Sequence, residues 1–229
     1  MKSKISIVIP VLNEEKIVRN NITRLNKLKT KCDVLFVDGQ SIDDTVNVLK
    51  ENQQQVVTSP IKGRGAQLAY GAKCVNEDTE LILFLHIDTE LPTGFELKIR
   101  IKPNIDYWGR FDIKLDSNKK VYKMIQVMMN LRSRITGIAT GDQAIFVTKN
   151  ELLNHVDKLK EHPLMEDIYL SKVLKAKLGR AYIIKDPVIT SIRYWEKNGI
   201  FKTILKMWKF RLMYFFNISP KTLYKRYYL

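Results

Sequence analysis

The stretch LILFLHIDTELP, residues 81 to 92, decides how the chain folds. Leu81 to Leu85 are five apolar residues in a row, the pattern of a strand buried on both faces of a parallel sheet. The run stops at His86 and Asp88, with Glu90 and Pro92 following at once. A buried strand that ends on an imidazole and a carboxylate carries polar groups to the edge of a sheet.

Three similar units precede it. ISIVIPV (5–11) is a continuous apolar run rich in β-branched residues, after which Ile17, Ile22, Leu25 and Leu28 give a helical face. DVLFVD (33–38) is a second strand, followed by SIDDTVNVL with Ser41 as the expected helix N-cap and Asp44 three residues on. QQVVTS makes a short third strand, and GRGAQLAYGAKCV starts glycine-rich and continues as a helix. Strand and helix alternating in this way predict right-handed crossovers and an α/β fold, with a Rossmann-like, mostly parallel sheet and helices on both faces. Ligands of such sheets bind beyond the carboxyl ends of the strands. The residues to inspect are therefore Pro10 to Glu14, Asp38 to Ser41, Ser59 to Arg64, and His86 to Asp88.

The second half is less regular. WGRFDIKL (108–115) alternates like a half-exposed strand, VYKMIQVMMNLRSRI is a methionine-rich helix, and GDQAIFV reads as a strand. MEDIYLSKVLKAKLG is a helix ending at Gly179, and AYIIKDPVIT a late strand. With no internal repeat, low-complexity tract or linker, the 229 residues read as one domain.

The formal net charge of +15 calls for an anionic partner: nucleic acid, an acidic membrane surface or a phosphorylated substrate. Cys32 and Cys74 lack CxxC or metal-type spacing, which fits a reducing compartment. The opening MKSKISIVIPVLNEE reads as a first strand and not a signal peptide, because Pro10, Asn13, Glu14 and Glu15 break its apolar run. No apolar segment approaches the roughly 20 residues that span a bilayer. The expected location is cytoplasmic, with peripheral contact at the inner face of the cell membrane left open.

Several residues are candidates for chemistry. His86 and Asp88 are two apart at a strand end, where alternation puts both on one side of the chain, and would suit Mn²⁺ or Mg²⁺ bridging a diphosphate. The plainer alternative is that they cap the strand and the next turn. Asp38 can accept hydrogen bonds from a base or ribose, or close an ordinary turn. Lys62 and Arg64 in KGRGAQ can reach phosphate at a helix start, although the spacing matches neither a P-loop nor GxGxxG. Glu166 and Asp167 at a helix start are either caps favouring the positive helix end or a general base for an acceptor hydroxyl.

Eight collinear stretches then carry a resemblance: SIVIPVLNEE, VDGQSIDDT, GRGAQLAYGA, LFLHIDTELP, WGRFDIKL, TGIATGDQAIFV, LMEDIYLSKVL and RYWEKNGIFKTILKMWKFRLMYFF. Together they cover nearly the whole chain, which resembles family 2 glycosyltransferases of the GT-A fold. It looks especially like the subgroup associated with radical-SAM and selenodomain proteins and with arsenosugar biosynthesis. The resemblance implies a nucleotide-diphosphate sugar donor, UDP-sugar favoured, a divalent Mn²⁺ or Mg²⁺, and inverting transfer to a hydroxyl acceptor. It implies a nucleotide-sugar-binding half (1–92), an acceptor and catalytic half (93–190) and a basic amphipathic segment (191–229).

By position, Pro10, Asn13 and Glu14 would line the nucleotide pocket, Asp38 would contact base or ribose, and Arg64 would lie toward the pyrophosphate. HID stands where most relatives carry Asp-x-Asp, so Asp88 becomes the metal and diphosphate ligand and His86 replaces the first aspartate. The ED pair takes the place of the base motif, with Asp167 favoured over Glu166. The common DDGS is DGQS here, with Gly39 in place of the second aspartate. Arg193 and Trp195 lie in the region of the Arg-Trp pair of processive relatives, with Tyr194 intervening.

From Arg193 onward nine cations face the single Glu196, so +8 of the +15 lies in this last segment. On a helical wheel Lys202, Lys206 and Lys209 share one face, and Phe201, Ile204, Leu205, Trp208, Leu212 and Phe215 the other. Such a helix either lies on an anionic membrane or packs its apolar face on the domain. Met124, Met128 and Met129 either face a lipid-linked or hydrophobic acceptor or fill gaps in the core, the commoner use. Two other readings compete: a catalytically weak relative that only binds nucleotide sugar, and a nucleic-acid-binding protein. The second has charge but no recognised motif, so no nucleic-acid partner is expected.

Overall fold

The computed structural model describes residues 4–99 and 105–228. The first three residues of the N-terminal stretch and Leu229 at the end of the tail lie outside the described residues. In chain order the elements are β1 (Ile5–Val11), α1 (Glu15–Lys29), β2 (Asp33–Asp38), α2 (Thr45–Glu51), β3 (Gln55–Thr58), α3 (Arg64–Cys74), β4 (Leu81–Phe84) and β5 (Thr89–Glu90). There follow α4 (Phe95–Lys98), β6 (Trp108–Leu115), α5 (Lys120–Thr136), β7 (Phe146–Thr148), α6 (Lys149–Leu153), α7 (Val156–Leu159) and α8 (Glu166–Leu178). The chain closes with β8 (Tyr182–Thr190), α9 (Arg193–Asn198), α10 (Ile200–Phe215) and α11 (Pro220–Tyr228).

The strands form one sheet in the order β3-β2-β1-β4-β7-β6-β8-β5. β1 pairs in parallel with β2 and β4, and β2 with β3. The apolar runs of these strands alternate between two cores, which is why they are continuous and not period-two. On one face, Ile5, Ile7, Ile9, Val34, Phe36, Leu81 and Leu83 pack with Val18, Leu25 and Leu28 of α1. On the other, Val8, Leu35, Val37, Ile82 and Phe84 pack with Leu68, Ala69 and Ala72 of α3 and Leu170 and Leu174 of α8. Close approach of α3 requires Gly71, where a Cβ would meet Val8 Cγ1 at 2.6 Å.

Beyond β4 the sheet turns antiparallel through β7, and β6 then pairs in parallel with β8 with a register break between Phe111 and Ile113. At that break the Asn130 side chain of α5 bonds both backbone groups of Ile113, each at 2.9 Å. GDQAIFV is strand only from Phe146, because Gly141–Gln143 form a 3₁₀ turn closed by a capping box between Thr140 and Gln143.

Two helical faces depart from expectation. Met124 and Met128 of α5 are exposed beside Val127, Leu131 and Ile135, and only Met129 packs on the core. On α10, Ile204 packs on the core, while Phe201, Leu205, Trp208, Leu212 and Phe215 face outward. Packing on the domain therefore uses a narrower stripe, with Thr203 and Phe210 buried. Among the described residues no helix is long and apolar enough to cross a membrane.

Candidate active site

The loops after β1 and β2 are laced together at the carboxyl edge of the sheet. Asn13 adopts φ 53°, a left-handed conformation that asparagine tolerates better than most residues. Its N–H donates to Ser41 Oγ (2.9 Å), and its side-chain oxygen accepts the Ile42 N–H (2.9 Å). The Glu14 N–H donates to Thr45 Oγ1 (2.8 Å). Ser41 therefore serves this lacing and does not cap α2, which begins at Thr45. Asp38 is buried and accepts the N–H groups of Gln40 and Ser41, so its carboxylate closes its own turn. Beneath them the buried Gln67 donates to the carbonyls of Val11 (2.8 Å) and Val37 (2.7 Å), joining the ends of β1 and β2. A Cβ on Gly39 would lie 3.0 Å from the Gln67 amide, so a larger residue there would have to displace that side chain. Gln67 had a sequence signal, a lone amide in the otherwise small and apolar GAQLAYGA.

The glycines of KGRGAQ have a packing reason. A Cβ at Gly65 would sit 2.3 Å from the carbonyls of Leu159 and His162, and Gly63 (φ +113°) lies against Pro163. The Arg64 N–H points to the Pro163 carbonyl at 3.3 Å. The start of α3 is thus covered by protein at Gly63 and Gly65, while the Lys62 and Arg64 side chains stay exposed.

At the mouth, the Arg193 guanidinium takes both carboxylate oxygens of Glu14 (2.9 Å each) and donates from Nε to Asp88 Oδ2 (2.8 Å). These bonds, the pair to Glu14 foremost, hold its charge more firmly than in a free arginine. Trp195 is buried in the core below, so the indole does not line the site; it anchors the short helix that presents Arg193. From α1, the Arg24 guanidinium donates to the carbonyls of Ile87 and Thr89 on either side of Asp88. Arg24 went unnoticed in the sequence, although it lies seven residues after Ile17 on the same helical face. Asp88, Arg193, Arg24, Glu90 and Asp116 line an open cleft of about 240 Å³.

His86 goes elsewhere. β4 ends at Phe84, so strand alternation does not govern residues 86 and 88, and the two line separate cavities. His86 Nδ1 lies 3.0 Å from Asp142 Oδ1, and its Nε2 sits against Gly141. Burial alone would push Asp142 up, but the hydrogen bond with His86 and the charges of His86, Arg64 and Arg211 hold its carboxyl below the usual range. Next to it the Gly141 N–H donates to Asp167 Oδ2 (3.2 Å), and Asp167 Oδ1 accepts the Ile168 N–H (2.7 Å). Buried Glu166, 3.8 Å from Arg64, is pushed up to about 8 by desolvation and the adjacent Asp167 charge. Pro10, Arg64, His86, Gly141, Glu166 and Asp167 line this second cavity together. Asp142 is a residue the sequence reading passed over; a carboxylate just after a glycine and just before a buried strand was its signal.

Among the described residues no three His, Cys, Asp or Glu side chains are grouped to cage a metal. Mg²⁺ and similar ions carried with a substrate diphosphate take one or two protein carboxylates and fill the rest with phosphate and water. Asp88 fits that mode as a single ligand. His86, held at Asp142, does not join it.

Known proteins share this arrangement of sheet and loops. Residues 6–104 match the model of glycosyl transferase family 2. The matched part runs from β1 to α4, less than half of the chain, and is similar to that family, while the fold as a whole is that of GT-A glycosyltransferases. Glucosyl-3-phosphoglycerate synthase from Mycobacterium tuberculosis, solved with Mn²⁺, UDP and glucosyl-3-phosphoglycerate, superposes with TM-score 0.54 at 16% identity over 82% of this chain and 70% of that one. A mannosyltransferase from Pyrobaculum calidifontis, solved with GDP-Man and Mn²⁺, gives 0.58 at 16% identity over 83% of this chain and 57% of that one. The mycobacterial synthase with Mg²⁺ and UDP gives 0.55 at 16% identity, over 82% and 70%. At such identity the likeness is one of fold. No curated protein matches this sequence.

Proposed function

We propose that the chain, as one domain over residues 1–229, is an inverting glycosyltransferase that moves a sugar from a nucleotide-diphosphate donor, UDP-sugar favoured, to a hydroxyl acceptor. The observation that carries this reading is the meeting of Glu14, Asp88 and Arg193 at the carboxyl edge of the sheet, beside a cavity walled by Pro10, Arg64, Glu166 and Asp167. In this reading Pro10, Asn13 and Glu14 line the nucleotide pocket, and Asp38 acts through the turn it closes. Arg64 and Arg193 face the diphosphate. Asp88 would hold Mn²⁺ or Mg²⁺, which when bound neutralises charge on the departing diphosphate.

The acceptor oxygen attacks the anomeric carbon opposite the diphosphate. The carbon–oxygen bond to the nucleoside diphosphate breaks with its electron pair, and Asp167 takes the acceptor proton. Asp167 is taken as the base because burial and the adjacent Asp167 charge keep Glu166 largely protonated near neutral pH. The residues 93–190 form the acceptor side, and 191–229 the basic segment that completes the donor cleft. The subgroup associated with radical-SAM proteins and arsenosugar biosynthesis is the proposed home of the chain. A cytoplasmic location with contact at the inner membrane face, and a lipid-linked acceptor, are in keeping with the outward apolar rows of α5 and α10 and the +15 charge.

A second reading, a nucleotide-sugar-binding relative of weak activity, draws on the ion pair that ties Asp88 to Arg193. Calorimetric titration of UDP, GDP and their common sugars, with Mn²⁺ and then excess EDTA, tests both. Micromolar binding of one nucleotide that vanishes on chelation, with slow donor hydrolysis, is expected. Binding that ignores EDTA would remove the metal, and binding without any hydrolysis or transfer would favour the second reading.

A further inference from the structure

A single guanidinium joins two carboxylates at the mouth of the site. Arg193 Nη1 and Nη2 each donate to an oxygen of Glu14 at 2.9 Å, and its Nε donates to Asp88 Oδ2 at 2.8 Å. Asp88 Oδ1 accepts no hydrogen bond among the described residues, so this carboxylate is only half used.

The backbone around the clasp is pinned. Arg24 donates to the carbonyls of Ile87 and Thr89, and the Ser191 N–H donates to the Asp88 carbonyl at 3.3 Å. The Thr89 and Thr190 hydroxyls share a hydrogen bond of 2.8 Å, and buried Trp195 anchors α9 two residues past Arg193. The Arg193 side chain, by contrast, is 41% exposed and lines the cleft. Any opening of the clasp is therefore a swing of the arginine side chain against a fixed frame.

Such a clasp treats free and carried cations differently. A free divalent ion at Asp88 would stand beside the guanidinium charge, and Arg193 would give up a charge-assisted hydrogen bond with nothing in exchange. A diphosphate changes that balance. Its anionic oxygens accept from the guanidinium fork as carboxylates do, so Arg193 can leave Asp88 and still end with a bonded partner.

We propose that Arg193 is a resident cation that keeps Asp88 closed to a free divalent ion and yields it only to an ion carried on a nucleoside diphosphate, turning its own fork onto the phosphate oxygens. The inference rests on the glycosyltransferase reading and adds the form in which the donor is taken, metal and diphosphate together. The tie between Asp88 and Arg193 is then the resting state of an active donor site and not a sign of weak activity.

The test is calorimetric titration of Mn²⁺ alone, and of UDP or GDP in the presence of Mn²⁺, into wild type, Arg193→Gln and Arg193→Lys. Arg193→Gln should gain about tenfold in affinity for free Mn²⁺ and lose about tenfold for the nucleotide. An arginine that only held the fold together would not give shifts of opposite sign. Arg193→Lys keeps the charge but has no fork to span Glu14 and Asp88; it should gain less, and it guards against loss of folding in the first variant. Adding Asp88→Asn to Arg193→Gln should abolish the gain. Free Mn²⁺ affinity unchanged or lowered in both single variants, or a gain that survives Asp88→Asn, would overturn the proposal. So would a wild type that binds free Mn²⁺ as tightly as it does with the nucleotide present. A gain in Arg193→Gln when wild type binds neither UDP nor GDP would sink the donor reading and leave the closure of Asp88 standing.

Discussion

The strands β1 to β4 and the strands β6 to β8 belong to one sheet but hold together differently. The first set is parallel, buried on both faces, and joined by backbone ladders and aliphatic packing. The second is of mixed direction, carries the buried Arg110–Asp112–Arg134 network, and relies on Asn130 and Gln126 of α5 to satisfy backbone groups of β6. One set is specified by local residue pattern; the other by polar contacts between residues far apart in sequence. In the proposed function the chemistry divides in a similar way, with Glu14 and Asp88 in loops after the first set and Glu166 and Asp167 at the start of α8, between β7 and β8 in the chain.

The sharpest division to try to break is chemical. Asp167→Asn should cut turnover by about 10²–10⁴-fold and leave donor affinity within about twofold, whereas Asp88→Ala should lose metal-dependent donor binding in calorimetry. Equal damage to binding and turnover from both changes would mean the two sides do not work separately. Next in size is stability, followed by urea unfolding. Asp112→Ala strands buried Arg110 and should cost about 3–5 kcal/mol, while Gly71→Ala, which crowds Val8 and Val37, should cost about 1–3 kcal/mol. The reverse order would place the stronger dependence on the parallel side.

A further expectation is a pH slope that arises at Glu166. Glu166 has a folded pKa raised from 4.5 to about 8, so between those values the folded protein holds a proton that the unfolded chain has released. Its contribution is therefore most favourable below pH 4.5 and is lost as pH rises toward 8. Stability should fall over that window, and Glu166→Gln should flatten the fall. An unchanged slope in the variant would show that the carboxyl is ionised throughout.

The same contrast explains what was legible beforehand. Ile5 to Val11, Asp33 to Asp38 and Leu81 to Phe84 read directly because burial on two faces leaves an unbroken apolar run. Pro10 to Glu14 and His86 to Asp88 were marked by their place after a strand, whereas roles for Asn13, Glu14, Asp88 and Arg193 came from the family resemblance. Trp195 did not, because a wheel or motif cannot tell an indole that binds from one that anchors. His86 was misdirected by assuming the strand ran two residues further than it does. Arg24, Gln67 and Asp142 act through carbonyls and side chains contributed by distant segments, which no local window contains. Met124 and Met128 failed for the opposite reason: a core-like composition sits on a face the domain leaves bare.

The Arg193 bridge also bears on when the protein becomes competent. Glu14 and Arg193 are 179 positions apart, yet one guanidinium joins that residue to Asp88. On a ribosome the parallel strands can pair long before Arg193 emerges, so the two carboxylates are placed early and the cation that joins them arrives last.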